Sequence, residues 1–293
     1  MEKKQNVFLA TCFALIAAFT FAITGVFVKL IGKHATTTMV IFFRFSISLL
    51  ILLPWFLKDS ALFKISQPKN FILRSIAGLL ALYCTFYALR YIPIADALLL
   101  SNTSALFVPI VAWVMLRTIT PIKIWVITLI GFVGVIFILH PDKVIFNYAA
   151  LVALTSGFFA GISLVQIRQL TKISSTQQIL FYYFLTGTIV AGFILPFLWV
   201  TPNLHVWLLL IAVGIFSAIY QVLMVLSFTY APVRLMSTVM FSCVAFGAFF
   251  DWVIWNKLPG LLTMIGMLLV IISGIFAVYF GQKALTTPSK PRA

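Results

Sequence analysis

The chain predicts an all-α integral membrane fold of ten transmembrane helices, arranged as two inverted five-helix repeats. Three observations carry that expectation. The first is composition: 63% of the 293 residues are apolar and 9% are charged, with mean hydropathy +1.17, whereas soluble domains carry about 25% charged residues. The second is a recurrence of apolar runs of about 20 residues, each able to cross ~30 Å of hydrocarbon as a helix. The third is self-similarity at a fixed offset of 139 residues: LIAAFTFAITGVFVK at 15–29 falls on LTSGFFAGISLVQIR at 154–168, and YIPIADA at 91–97 falls on YAPVRLM at 230–236. If each copy holds an odd number of spans, the copies lie in the bilayer in opposite orientations, the plan of many secondary transporters.

The first run, 7–31, follows MEKKQ as a signal peptide would. It is too long for one, lacks a small-residue cleavage site and opens the repeat, so it reads as a retained helix. The second, 37–57, carries FFRF at 42–45, and the third is 71–91. Pro93 marks the tight turn into the fourth, 94–116, inside which Pro109 favours a kink by removing one helix hydrogen bond. The fifth is 121–139, and the polar stretch HPDK at 140–143 separates the halves. The sixth to tenth runs are 148–169, 176–199, 205–229, 234–254 and 261–281, with Pro232 repeating Pro93. The expected units are therefore 1–143, 144–282 and a disordered cytoplasmic tail at 283–293. Outer-membrane barrels would show ~10-residue alternating segments instead.

The net charge of +15 orients the chain and is not the footprint of nucleic acid. With the N-terminus in the cytoplasm, the inner side receives Lys58, Lys64, Lys69, Arg74, Arg117, Lys123, Arg168, Lys172 and Arg234, besides the basic termini. The outer side receives only Lys29, Lys33, Arg90, Lys143 and Lys257. This is the positive-inside pattern of a multi-pass inner-membrane protein with both termini cytoplasmic, its basic face meeting anionic lipid. Cys12, Cys84 and Cys243 lie within spans without paired spacing and read as packing residues. Trp55, Trp199, Trp207 and Trp255 fall near span ends, as an aromatic belt does.

On these residues the chain resembles the drug/metabolite transporter superfamily, in its ten-helix EamA-type branch. The resemblance rests on FFRF at 42–45, FYALRYIPIADA at 86–97, Pro109, IGFVGVIFILHP at 130–141, AFFDWVIWNKLP at 248–259 and the pair Gly266 and Gly274. It implies transport of a small organic solute without fixing the cargo, with amino acids and related amines first and nucleoside-like metabolites such as S-adenosylmethionine next. Members often carry an acid where the fourth span of each half ends; this chain has Arg117 and Asn256 there, so a role for those acids does not transfer. A passive channel and a non-transport scaffold remain the alternative readings.

Candidate site residues follow from cost. Apart from Glu2 the acids are Asp59, Asp96, Asp142 and Asp251, and only Asp96 and Asp251 lie in or beside spans. An ionised group in hydrocarbon faces protein, water or a basic partner. Arg44, about seven residues into its span, is expected to pair with Asp96 or Asp251, as a structural ion pair or as an outer gate coupled to protons or cargo. By analogy with the family, cargo meets the first, third and fourth spans of each half. The candidates there are Thr20, Thr24, Tyr83, Tyr87, Asn102 and Ser104, then Ser163, Gln166, Tyr220, Gln221 and Ser242. Tyr83 and Tyr87 share a helix face, although Ser and Thr also bond their own backbone. His34, His140 and His205 sit at loops or span ends, and no HExxH, GxSxG or P-loop is present. No enzyme, cofactor or metal is expected, and one copy of the chain is expected to suffice.

Overall fold

The computed structural model describes residues 7–59, 62–63, 65, 67–116, 122–139, 148–170, 173–230, 239–240 and 242–286. Among these every regular element is helical. The first helices are α1 (Val7–Ile31), α2 (Thr37–Phe56), α3 (Pro68–Ala88), α4 (Ile94–Asn102), α5 (Ser104–Leu116) and α6 (Ile122–Leu139). Then follow α7 (Tyr148–Leu170), α8 (Thr176–Ile194), a 3₁₀ turn (Leu195–Leu198), α9 (Leu204–Tyr230), α10 (Ser242–Trp255) and α11 (Leu261–Thr286). Six stretches are long and apolar enough to cross a membrane: Phe8–Ile31, Thr37–Phe56, Pro68–Ala88, Tyr148–Ile167, Thr176–Leu198 and Leu204–Ser227. The chain is a multi-pass membrane protein.

Local chemistry sets the boundaries. Thr36 begins α2 in an extended conformation, its hydroxyl accepting from Met39 N at 3.3 Å. Ser175, at the same register one offset later, begins α8 with the same backbone and accepts from Gln178 N at 3.1 Å. The repeat thus extends to the helix caps, which satisfy amides that would otherwise lack partners. At the far end of α10, Asn256 takes a left-handed conformation (φ 52°), and Lys257 N returns to Asp251 O at 3.1 Å. That is a helix stop of the Schellman kind, tolerable for asparagine.

Three boundaries differ from expectation. The third span starts at Pro68 rather than 71, because proline is well suited to the first helical position. The fourth is interrupted at Thr103 and not at Pro109, which α5 runs through. Thr103 turns both its amide and its hydroxyl back to Leu100 O, at 3.2 and 2.5 Å. Gly157 of α7 approaches the same spot, where a Cβ would lie 2.8 Å from Leu100 O, so the interruption sits where two backbones meet. The last helix continues to Thr286, taking in 283–286 of the expected tail; the rest of that tail, Pro232, Arg117 and HPDK lie outside the described residues.

Packing follows the repeat register. Helix α1 lies along α9 and α3 along α7, two pairs that the 139-residue offset interchanges, while α2 lies against its own counterpart α8 and α6 against its counterpart α11. Close approaches are made at glycine: a Cβ on Gly187 (α8) would lie 2.5 Å from Phe45, and one on Gly214 (α9) 2.5 Å from Ile47. Small residues at such crossings let helices associate where lipid offers no hydrophobic driving force.

Candidate functional site

Two groups of described polar side chains stand out inside the helices, one near the helix ends and one in the middle of the bundle. The outer group is built on Asp251 of α10. Its carboxylate accepts from Lys29 Nζ of α1 at 2.8 Å and from Ala95 N at 3.0 Å, and its side chain is 2% exposed. Ala95 is in the first turn of α4, so the positive end of that helix dipole also points at Asp251. Lys29 additionally lies over Trp255, 4.5 Å from the ring centroid.

This arrangement corrects one expectation. The partner of Asp251 is Lys29, which closes α1 at the same end of the bundle, and not Arg44. Asp96 stands beside this cluster, in the first turn of α4. Nearby, the Arg90 guanidinium donates to Ala35 O and ties the segment after α3 to the one before α2.

The inner group gathers around Tyr220 of α9. Phe21 of α1 stacks on its ring at 4.6 Å and 17°. Arg44 (α2), Arg74 (α3), Tyr183 (α8) and Cys243 (α10) all lie within electrostatic reach of its hydroxyl. Five helices from both halves therefore bring a side chain toward one tyrosine on a sixth. Tyr220 is nevertheless only half-buried, packed against the core and stacked on Phe21.

Arg44 is 1% exposed and Arg74 3% exposed. Arg44 lies 5.3 Å from the Phe86 ring centroid and 5.7 Å from that of Phe45, while Arg74 stacks 4.0 Å from that of Tyr183. Among the described residues neither guanidinium meets a carboxylate, and Arg44 Nε and Nη1 and Arg74 Nε find no acceptor. Gly78 makes the room for Arg74: a Cβ there would collide with Arg74 Nη1 and stand 2.9 Å from Tyr183 Cε2. Arg74 had been placed by sequence among the inner-side charges. The available signal was its position six residues beyond Pro68, too deep for an interfacial arginine.

The other candidates divide. Gln166 and Gln221 are buried, and Gln166 Oε1 and Ser242 Oγ have no partner among the described residues. Ser217, which the sequence did not single out, is likewise buried with a free hydroxyl, one turn from Tyr220 and Gln221 on α9. Ser163 donates to Arg74 O at 3.3 Å. Asn102 donates to Leu98 O at 2.7 Å and to Cys243 Sγ at 3.3 Å, and Ser104 donates weakly to Asn102 O at 3.5 Å. Thr20 and Thr24 spend their hydroxyls on their own helix, at Ala17 O and Thr20 O. Tyr87 packs with Tyr91 and Tyr148 at ring distances of 4.9 and 6.2 Å, away from the Tyr220 group. Tyr83, one turn earlier on α3, is half-buried against the core. Among the described residues no cluster of three or more His, Cys, Asp or Glu could hold a metal ion.

Comparison with known proteins gives this geometry a context. The model of the EamA-like transporter family matches the sequence twice, over residues 8–140 and 147–280. The pseudopaline exporter CntI of Pseudomonas aeruginosa is 31% identical over 272 residues, spanning 89% of this chain and 93% of that protein. The S-adenosylmethionine uptake transporter of Rickettsia prowazekii is 25% identical over 282 residues, 94% of each. The riboflavin transporter of Vibrio cholerae is 24% identical over 294 residues, 97% of each. A solved crystal structure superposes with a TM-score of 0.65 at 16% identity, covering 94% of this chain and 97% of its own, and speaks to the fold alone.

Proposed function

We propose that this chain, which belongs to the EamA-like transporter family, carries a small organic metabolite across the inner membrane by alternating access. Transport of a small metabolite is the activity its relatives share by name: a pseudopaline exporter, S-adenosylmethionine uptake transporters and a riboflavin transporter. In this reading the chain has ten spans in two five-helix repeats, 1–143 and 144–282, of opposite orientation, with both termini cytoplasmic. One copy suffices, because the polar centre is assembled within a single chain.

One observation carries the proposal: the centre around Tyr220 draws side chains from both halves. A site at the junction of two repeats is exposed to each side in turn when one repeat rocks against the other. Arg44, Tyr183, Tyr220, Gln166, Gln221 and Ser242 are the proposed cargo contacts. Lys29 and Asp251 are proposed to hold one face shut, since the pair joins a helix of the first half to one of the second.

The test is reconstitution in liposomes with a panel of labelled amino acids, amines and nucleoside-like metabolites. A transporter gives saturable uptake that unlabelled cargo on the far side accelerates. Flux that rises linearly with concentration and shows no counterflow would instead support a channel.

A further inference from the structure

We infer that the cargo is an anion bearing two carboxylates, one recognised by Arg44 and the other by Arg74. The inference rests on the transporter reading above and adds the chemical class of its cargo.

The argument begins with charge. Two guanidiniums lie in the interior of membrane-spanning helices, each at most 3% exposed. Arginine does not lose its proton in proteins, so both carry positive charge there. Intramembrane cations are costly and ordinarily find an acid, a carbonyl or water. Of the described acids within the helices, Asp251 is held by Lys29 and Asp96 lies in the first turn of α4, and neither makes an ion pair with these two arginines. The surroundings of Arg44 and Arg74 are instead aromatic: Phe45, Phe86 and Tyr183. Ring faces offset part of the cost of a buried cation, but they leave hydrogen-bond donors unmatched. Arg44 Nε and Nη1 and Arg74 Nε are unmatched in this way. A guanidinium with free in-plane donors matches a carboxylate in both shape and sign.

Placement then argues for two carboxylates. Arg44 is seven residues past Thr37, where α2 begins, and Arg74 is six past Pro68, where α3 begins. At 1.5 Å per residue these are depths of about 10 and 9 Å. The consecutive helices run in opposite directions, so the two arginines approach the middle of a ~30 Å layer from its two faces. They feel each other's charge, and both feel Tyr183 and Tyr220. Tyr220, half-buried, lies within electrostatic reach of both guanidiniums. A cargo with one carboxylate would leave a net positive charge in this setting; a dicarboxylate brings it to neutrality. The free donors and acceptors of Ser217, Gln166 and Ser242 suit an amino or hydroxyl group on the same molecule.

The experiment measures thermal unfolding of the purified protein in detergent with glutarate, adipate, butyrate and 1,5-diaminopentane as probes. The same compounds are then tried as labelled substrates in liposome counterflow. Glutarate or adipate should raise the midpoint at concentrations about 30-fold or more below those at which butyrate does, since truncating one partner of a buried charge pair typically costs that much. The diamine should give no shift. Arg44→Gln and Arg74→Gln should each raise the half-saturating dicarboxylate concentration by a similar factor. Without ligand they should unfold at or above the wild-type temperature, because each sheds an unmatched buried charge; a purely packing role predicts a lower one. Arg44→Lys and Arg74→Lys, which keep charge but not the paired donors, should fall between. Equal shifts with butyrate and glutarate, a better shift with the diamine, or dicarboxylate binding unchanged in both Gln variants would each overturn the inference. Should the variants not fold, the wild-type ranking of the four probes decides alone. Counterflow of neutral or cationic metabolites without any effect of dicarboxylates sinks this inference and leaves transport standing. Dicarboxylate binding without counterflow does the reverse.

Discussion

Asp251→Asn should destabilise this protein by about 3 kcal/mol, and the reason lies in what the substitution leaves behind. Asp251 and Lys29 meet at 2.8 Å with side-chain exposures of 2% and 13%. Removing one member of a buried ion pair typically costs 3–5 kcal/mol, because the other charge stays behind uncompensated. The asparagine amide retains an oxygen for either Lys29 Nζ or Ala95 N, but not the two acceptor sites that now serve both. Lys29 keeps slight access to the surface and the face of Trp255, which places the cost at the lower end of the range. Lys29→Met should cost a similar amount, by stranding the carboxylate on one backbone amide. The double variant Lys29→Met with Asp251→Leu should recover at least half of the summed loss, since apolar replacement of a whole buried pair is often close to neutral. Unfolding of all four proteins in mixed micelles of increasing SDS content gives the cycle. If the pair forms in only one of two transport conformations, about 3 kcal/mol corresponds to a roughly hundredfold shift between them, read as faster cysteine labelling beside α1 and α10. Single variants within about 0.5 kcal/mol of wild type, with no coupling between them, would show that the pair behaves as an exposed one and would refute the reasoning.

Other consequences can be checked directly. Cysteines at Ser66 and Pro288 should react with reagents confined to the cytoplasmic side, and one at Asn203 from outside; labelling of Ser66 and Asn203 from the same side would remove the inverted repeat. Gly187→Ala pushes a Cβ to 2.5 Å from the Phe45 ring and should cost about 1–3 kcal/mol of stability, as overpacking does, in the same SDS titration. Thr36→Ala and Ser175→Ala each remove a helix cap and should cost about 1 kcal/mol. Each hydroxyl also donates, Thr36 to Leu198 O at 3.1 Å and Ser175 to the Asp59 carboxylate, and Ser175 should be the more sensitive because its acceptor is charged. If Asp251 also couples transport to protons, Asp251→Asn should retain exchange while losing pH-driven accumulation; pH dependence identical to wild type excludes that role.

Much of the architecture is legible in the sequence because a bilayer demands long apolar runs, and those runs are readable one residue type at a time. The 139-residue register is equally visible, and it reaches residues as small as the caps Thr36 and Ser175. Which helix face looks inward is far less legible. In lipid both the packed and the outward faces are apolar, so α1 shows no polar stripe to say where Lys29 points. Its contact with Asp251 spans 222 positions, and sequence depth alone made Arg44 an equally good partner. Arg74 was misplaced for a related reason: a basic residue near a helix start looks interfacial until α3 is seen to begin at Pro68 and to carry it inward past Gly78. Tyr220 was singled out by its polarity, but its place at the meeting of six helices is a tertiary fact.

The register has a consequence at one position. Arg44 and Tyr183 are counterparts, 139 residues apart in FFRF and FYYF, and they lie within reach of each other. Two identical copies of a five-helix ancestor, associating face to face, would have set like against like there: two cations repelling across the axis, or two phenols. Joining the copies in one polypeptide frees each to change alone. A guanidinium can then lie near a phenol, attraction replaces repulsion, and the half that carries the arginine is chemically distinct from the half that carries the tyrosine. Arg44 and Arg74 both belong to the first copy, so a cargo would keep its charged groups with that copy throughout the crossing, and descent by duplication would be written into the direction in which the molecule lies.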